Sequence, residues 1–287
     1  MMVYMADSQG MRSVMRTAST LPILMYHHVS PAKGSLTTTP ARFAGQLRWL
    51  AEHGYRTVGA EEVRQFLSGQ PLPDKSIVLT FDDGYLDNWV YAHPVLKEFG
   101  MKALLFVITG WVGTGPARAS ARPGAVSCRT PSHAECKQLA QRGETDAFMI
   151  RWSEAEAMQL AGTFEIHSHT HTHTRWDRTI ADRAQRRSAL AQDLHRSVEA
   201  LKERLGVQSD HLCWPEGYFD EDYVEVAESL GFRHLYTTDP RGHNTPHADP
   251  RHLFRVSVKN RAGWVFGQRV WLARNQRWGG LYNRWKS

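Results

Sequence analysis

Ile77-Val78-Leu79-Thr80-Phe81-Asp82-Asp83-Gly84 is the stretch on which the fold turns. An apolar run without alternation ends abruptly in two acids and a glycine. A strand with one wet face alternates, because successive side chains point to opposite sides; a continuous run marks a strand covered on both faces. That is the signature of a parallel sheet or barrel with helices outside. Working outward, Ile23 to Tyr26, Ala103 to Ile108, Phe164 to Ser168, Leu212 to Pro215, Leu235 to Thr238 and Phe254 to Val258 read as further strands. The total is about seven. Phe43, Leu47 and Leu50 fall at helix spacing, and Trp89 to Phe99, Ala181 to Leu205 and Asp220 to Leu230 carry helical patterns between strands. The expected fold class is therefore α/β.

The chain has 287 residues, 41% hydrophobic and 22% charged, enough for one domain with a full core. Wholesale disorder is excluded by that balance. The formal net charge of +6 favours acidic partners without choosing among them. Cys128, Cys136 and Cys213 are too few and scattered for a disulfide framework or a structural zinc cage, which fits a reducing compartment. Arg12 and Arg16 are followed by no apolar run of signal-peptide length before Pro22, and no run reaches the roughly 20 residues of a spanning helix. A cytoplasmic protein is expected. Residues 1–20 read as a flexible leader, 21–260 as the main domain with a long loop or cap over 113–143, and 261–287 as a Trp/Arg-rich C-terminal helix.

Two clusters carry chemistry. Asp82 and Asp83 sit at a strand end, where α/β folds collect working residues. Asp and Gly also punctuate ordinary turns and caps. As a functional pair, neighbouring carboxylates projecting from one turn divide labour, one ligating a metal while the other takes a proton. The second cluster, Glu165-Ile166-His167-Ser168-His169-Thr170-His171-Thr172-His173, places imidazoles at alternate positions after another apolar strand. A His-x-x-x-His spacing lets two rings converge on one ion; otherwise the run is a solvated loop with adventitious metal affinity.

These passages, with Pro22-Ile23-Leu24-Met25-Tyr26-His27-His28-Val29, resemble the NodB-homology polysaccharide deacetylases, also called carbohydrate esterase family four, over about residues 21–258. Gly54-Tyr55-Arg56-Thr57-Val58 and Lys102 to Val107 are similar to the branch acting on poly-N-acetylglucosamine. The resemblance implies a distorted (β/α) barrel of about seven parallel strands. It implies an N-deacetylase of N-acetylhexosamine that uses Asp82 as the base activating water and Asp83 as a ligand of one divalent ion. Zinc is the first expectation, with cobalt, nickel and manganese as alternatives. Both His167/His171 and His169/His173 satisfy the family's His-Ser/Thr-x-x-His spacing. The family wording Glu-Ile-Gly-Ser-His-Thr-x-Thr-His, aligned on Glu165, puts His167 at the glycine and selects His169 and His173. His167 and His171 are then extra imidazoles at the rim. Three protein ligands leave the open position of a catalytic site.

The family loop Arg-x-Pro-x-Gly, which supplies a backbone N–H for the oxyanion, reads Cys213-Trp214-Pro215-Glu216-Gly217. Pro215 and Gly217 match. Cys213 replaces the arginine that orients the catalytic Asp, and Glu216 replaces an aromatic, so what holds Asp82 is unaccounted for. The backbone donor at Glu216 remains. The family's general acid, a histidine near the carboxyl end of the domain, has no clear counterpart: His243 and His247 lie in a loop after the sixth strand, while His27 and His28 end the first. His27 is the cleft candidate.

Trp264, Trp271, Trp278 and Trp285 recur every seven residues, with Arg269, Arg274, Arg277, Arg284 and Lys286 between them, and would share a slowly drifting helix face that Gly279 and Gly280 interrupt. One reading is peripheral membrane contact through 264–287 on the inner membrane face, suited to a glycolipid substrate; the other is a helix packed on the barrel wall. No nucleic-acid module is present, and no nucleic-acid partner is expected. The expected substrate is an N-acetylated envelope glycan: lipopolysaccharide core, exopolysaccharide or a lipid-linked precursor. Two histidines and a carboxylate also describe a non-heme iron oxygenase, against which Asp82 beside the ligand stands. A glycan-binding relative that keeps the metal without turnover is the third reading, motivated by Cys213.

Overall fold

The structure is a computed structural model and describes residues 3–4, 14–120, 128–279 and 281. Its main sheet contains β1 (Ile23–Tyr26), β2 (Arg56–Thr57), β3 (Ser76–Phe81), β4 (Ala103–Val107), β5 (Phe164–Ser168), β6 (His211–Cys213), β7 (His234–Tyr236) and β8 (Val256–Ser257). The strands run parallel in the order β7-β6-β5-β4-β3-β1-β8, with β2 beside β3. The ends of this order approach each other: Tyr236 of β7 makes a parallel bridge to Leu253, and Leu253 N donates to Leu235 O at 2.9 Å. The sheet thus curls into the distorted (β/α) barrel that the resemblance implied.

Continuous apolarity has the expected cause, since every residue of β1, β3 and β4 is buried. Ile23, Val78, Leu104, Phe106 and Tyr236 fill the inside of the curl. Leu24, Ile77, Leu79, Leu105 and Ile166 face the outer helices. These include α1 (Pro40–Glu52), whose Phe43, Leu47 and Leu50 are buried as their spacing predicts. The others are α2 (Ala60–Leu67), α3 (His93–Glu98), α4 (His133–Gln141), α5 (Trp152–Leu160), α6 (Arg183–Leu205), α7 (Glu221–Ser229) and α8 (Gly263–Arg274). Asp182 and Asp220 cap α6 and α7 by accepting from Gln185 N and Tyr223 N, and Gly206 ends α6 in the left-handed region.

The helix expected from Trp89 begins instead with a π-helical turn, Asn88–Ala92. That turn brings Asn88 Nδ2 within 2.8 Å of the His27 carbonyl, to which it donates, and so ties the end of β1 to the end of β3. The 113–143 stretch holds α4, started by a capping box in which Ser132 and Glu135 satisfy each other's backbone N–H groups. Residues 121–127 lie outside the described residues. At the N-terminus, Ala18 N donates to Leu72 O and Thr20 Oγ1 to Arg274 O, tying 18–20 to the barrel. In α8, Phe266 and Val270 are buried, whereas Trp264 and Trp271 are 67% and 50% exposed; Trp278, 58% exposed, lies beyond Asn275, where α8 ends, so the C-terminal helix expected over 261–287 is broken there. Trp285 lies outside the described residues.

Candidate active site

Three strand ends build the site. Asp82 and Asp83 follow β3, His169 and His173 follow β5, and His27 follows β1. All five line one cavity of about 310 Å³, together with Trp111, His133, Trp214 and Glu216. Asp83 turns its carboxylate toward the histidines: its Oδ1 lies 3.3 Å from His169 Nε2 and 3.6 Å from His173 Nε2. Two ligand atoms at about 2.0–2.1 Å from a tetrahedral ion stand roughly 3.3 Å apart, so this trio fits a zinc-sized cation. His169 Nδ1 donates to the Cys213 carbonyl at 2.8 Å, which fixes the ring with Nε2 turned toward Asp83.

The backbone is bent to make this arrangement. Asp83, His173 and Glu216 sit at φ of 75°, 60° and 55°, each in the left-handed region that non-glycine residues avoid at a cost of order 1–3 kcal/mol. Gly84 continues the turn at φ 87°, and a Cβ there would stand 3.0 Å from Val107 Cγ1. Gly217 is tighter still, since a Cβ would lie 2.2 Å from Thr238 Oγ1.

Asp82 has different surroundings. Arg255 grips it with both Nη atoms, at 2.7 and 2.8 Å, and also donates to Thr80 Oγ1, the Thr237 carbonyl and Cys213 Sγ. Arg255 is wholly buried. It occupies the role that the sequence left open at Cys213: the guanidinium comes from the approach to β8 instead of from residue 213, whose small thiol leaves room for it. Burial alone would raise the Asp82 carboxyl, but Arg255 outweighs that and holds it below the ordinary range. Asp83 is also held down: burial opposes its charge, and the His169 hydrogen bond and nearby imidazoles overcome that opposition. His173 is pushed down to about 4 by burial and by its neighbour His169, leaving a neutral ring. His27 is lowered too, mainly by burial, against the pull of Asp82 and Asp83. Its Nε2 lies 3.9 Å from Asp82 Oδ2.

The two histidine registers are separated by the fold. His171 turns to Thr109 Oγ1 at 3.0 Å, and His167 points into the barrel, bonded to Ser209 Oγ at 2.7 Å. His167 is therefore buried below the pocket instead of at its rim, because inward-facing positions of β5 descend into the curl. Of the loop residues, Trp214 and Glu216 line the cavity; Pro215 is buried and Gly217 abuts Thr238. His243 and His247 are not lining residues: the first lies against Gly279 and the second against Gly69.

Sequence reasoning missed Arg255 and His133. A signal for the first was present, because an arginine within an apolar strand pattern needs a buried partner. His133, on α4, reaches the pocket through tertiary packing: its Nδ1 lies 3.2 Å from His28 Nε2, and His28 is held by Asp87 at 2.7 Å.

The family model described as "Polysaccharide deacetylase" matches residues 69–235. The chain belongs to this family. It is 28% identical over 221 residues to YxkH of Bacillus subtilis, a polysaccharide deacetylase by name, covering 77% of this chain and 65% of that protein. It is 25% identical over 225 residues to the poly-beta-1,6-N-acetyl-D-glucosamine N-deacetylase of Escherichia coli, covering 75% of this chain and 32% of the relative. The chain thus spans less than two thirds of the length of either relative. The solved structure of IcaB from Ammonifex degensii superposes with a TM-score of 0.69 at 26% identity, covering 90% of this chain and 99% of that one.

Proposed function

We propose that this polysaccharide deacetylase-family chain hydrolyses N-acetyl groups from N-acetylhexosamine units of an envelope glycan, with Asp82 as base and Asp83, His169 and His173 as the ligands of a divalent ion. The observation that carries the proposal is the division of labour between the two acids. One faces two imidazoles at ligand spacing, and the other is clamped by Arg255.

The donor set fits zinc, with cobalt, nickel or manganese as alternatives. When bound, such an ion polarises an amide carbonyl and acidifies water. The protein's own groups do the rest. Asp82, kept ionised by Arg255, accepts the proton of the attacking water. His27, whose Nε2 stands 3.9 Å from Asp82 Oδ2, passes the proton that Asp82 has accepted to the departing nitrogen. The Glu216 backbone N–H, on a turn fixed by Pro215 and Gly217, faces the developing oxyanion. Trp214, which lines the cavity, keeps a buried indole Nε1–H with no partner among the described residues. Arg255 removes the motive for a binding-only relative, since Asp82 has its orienting partner.

Acetate release from a panel of N-acetylated glycans, comparing the parent with Asp82→Asn, tests the reading. Loss of about 100-fold or more is expected on removing the base. Equal rates would remove Asp82 from the mechanism, and oxygen consumption without acetate would favour an oxygenase.

The exposed tryptophans favour a membrane-bound substrate. Trp264 and Trp271 project from α8, whose other side is packed, and Trp278 is exposed just beyond its end, with Arg261 and Arg277 nearby in sequence. Indoles at the headgroup level and arginines on anionic lipid suit a peripheral protein at the inner membrane face. No helix among the described residues is long and apolar enough to cross a membrane. Flotation with phosphatidylglycerol vesicles should be salt-sensitive and lost on changing the three tryptophans to serine; binding unchanged by those substitutions would refute the contact.

A further inference from the structure

The barrel carries a second cluster of metal-ligating side chains, away from the pocket and unused by the proposed chemistry. Strand β6 delivers Cys213 and Trp214 to the pocket at its carboxyl end; at its amino end, about 7 Å back along the chain, stand Asp210 and His211. The neighbouring β7 pairs in register, placing His234 beside His211. The backbone fixes this corner, since both Arg233 N and His234 N donate to the Asp210 carbonyl, at 2.8 and 3.0 Å.

The side chains converge. Asp210 Oδ1 lies 3.4 Å from His211 Nε2, and Asp210 Oδ2 lies 3.1 Å from His234 Nδ1. Each separation is close to the roughly 3.3 Å edge of a tetrahedron around a zinc-sized ion, but the two run to different oxygens, so this carboxylate faces one imidazole with each oxygen, whereas Asp83 faces both of its histidines with Oδ1. One ligand atom from each of the three residues lies within 4.8 Å of the others. His211 is oriented from behind, its Nδ1 bonded to Tyr236 Oη at 2.8 Å, in the way that outer groups fix the tautomer of a ligating imidazole.

A simple ion-pair network does not account for the cluster. His234 is 6% exposed, and its buried Nδ1 has Asp210 Oδ2 at 3.1 Å but no hydrogen bond of good geometry. His167, whose ring centroid is 5.0 Å from that of His211, is 6% exposed and likewise leaves Nε2 buried and unbonded. A buried lone pair without a donor costs free energy that a cation would recover. The Asp210 side chain is 41% exposed, which provides an entry path and space for water to complete the coordination.

We propose that Asp210, His211 and His234 hold a second divalent transition-metal ion, of the zinc class, at the amino-terminal end of the barrel. Its consequence is structural: the ion joins β6 to β7 beneath the strand end that carries the Trp214 loop.

The test is metal stoichiometry on the full-length chain, stripped of metal and titrated with zinc chloride, then with cobalt(II), whose visible absorption reports each site. The parent should bind about two equivalents, while His234→Gln and Asp210→Asn should each bind about one and keep acetate release. Asp83→Asn should also bind about one equivalent, but without activity, and the double variant Asp83→Asn/His234→Gln close to none. A parent that binds a single equivalent lost only with Asp83→Asn, or a His234→Gln protein that still binds two, overturns the proposal. A parent whose single equivalent is lost only with His234→Gln supports it and refutes the Asp83 site. Retained activity in His234→Gln and Asp210→Asn certifies their fold, and near-parental thermal midpoints in the metal-free proteins do so independently of turnover.

Discussion

Arg255→Met isolates what a buried guanidinium does for Asp82. In the parent, Arg255 meets both Asp82 oxygens at 2.7 and 2.8 Å with both side chains almost fully buried. Methionine fills a comparable volume but leaves the carboxylate without its counter-charge. Breaking such a pair from one side costs about 3–5 kcal/mol. At 1.36 kcal/mol per pKa unit, that energy is equivalent to roughly two to four units on Asp82. The signs follow from the two causes acting on it. With Arg255 present the folded-state carboxyl is lowered, so its contribution to stability exists above the unfolded value and is lost as pH falls through the folded one. Without Arg255, burial is opposed only by the smaller pull of His27 and His169, so the folded value rises above the unfolded one, and stability is lost as pH rises through it. The gap in unfolding free energy between parent and variant should therefore be near its full size at neutral pH and shrink toward about pH 4, where the variant's Asp82 is protonated. Urea titrations at the two pH values measure it, and the acid limb of kcat/KM should move upward in parallel. Asp82→Asn/Arg255→Met should be more stable at neutral pH than Arg255→Met, because no orphan charge is left. A gap of equal size at both pH values, with no rescue by the second substitution, would refute the reasoning.

Other outcomes follow from the same geometry. Asp83→Asn should weaken metal binding at the pocket and lower kcat/KM by about 100-fold or more, as read by equilibrium dialysis and acetate release; parental values for both would move the ligand role elsewhere. His171→Gln should leave activity near the parent's, with a stability change of about 0.5 kcal/mol or less, whereas His173→Gln should not; equal losses would mean that the other histidine register operates. Gly217→Ala should slow turnover more than it weakens substrate binding, because the added methyl collides with Thr238 and shifts the Glu216 amide; a kcat at the parental level would show that the loop tolerates the shift. Dialysis against a chelator should abolish acetate release and zinc should restore it; full activity in rigorously metal-free protein would remove the ion from the reaction.

Much of this was legible in the chain itself, because it rests on local physics. Burial on both faces makes a strand nearly continuously apolar, so β1, β3 and β4 announced themselves, and with them the parallel α/β class. The acids and imidazoles were visible because they interrupt those runs at strand ends. The helices α4 and α5 bury few large apolar residues, so their periodicity was too weak to stand out, whereas α2 buries Val63, Phe66 and Leu67 at helix spacing but is only eight residues long.

What tertiary structure alone decided concerns pairs of residues far apart in sequence. Four alternating histidines are equivalent in one dimension; only the curl of β5 sends His169 and His173 to Asp83 while turning His167 inward and His171 aside. Cys213 marked a missing arginine, yet no spacing rule could say that Arg255, 173 residues from Asp82, would fill the same space from another strand. The meeting of Asp210 and His211 with His234 depends on the register of β6 against β7. Sequence fixes what each segment can bury and bond; which charges share a low-dielectric interior is settled when the strands close, because only then do buried groups need one another.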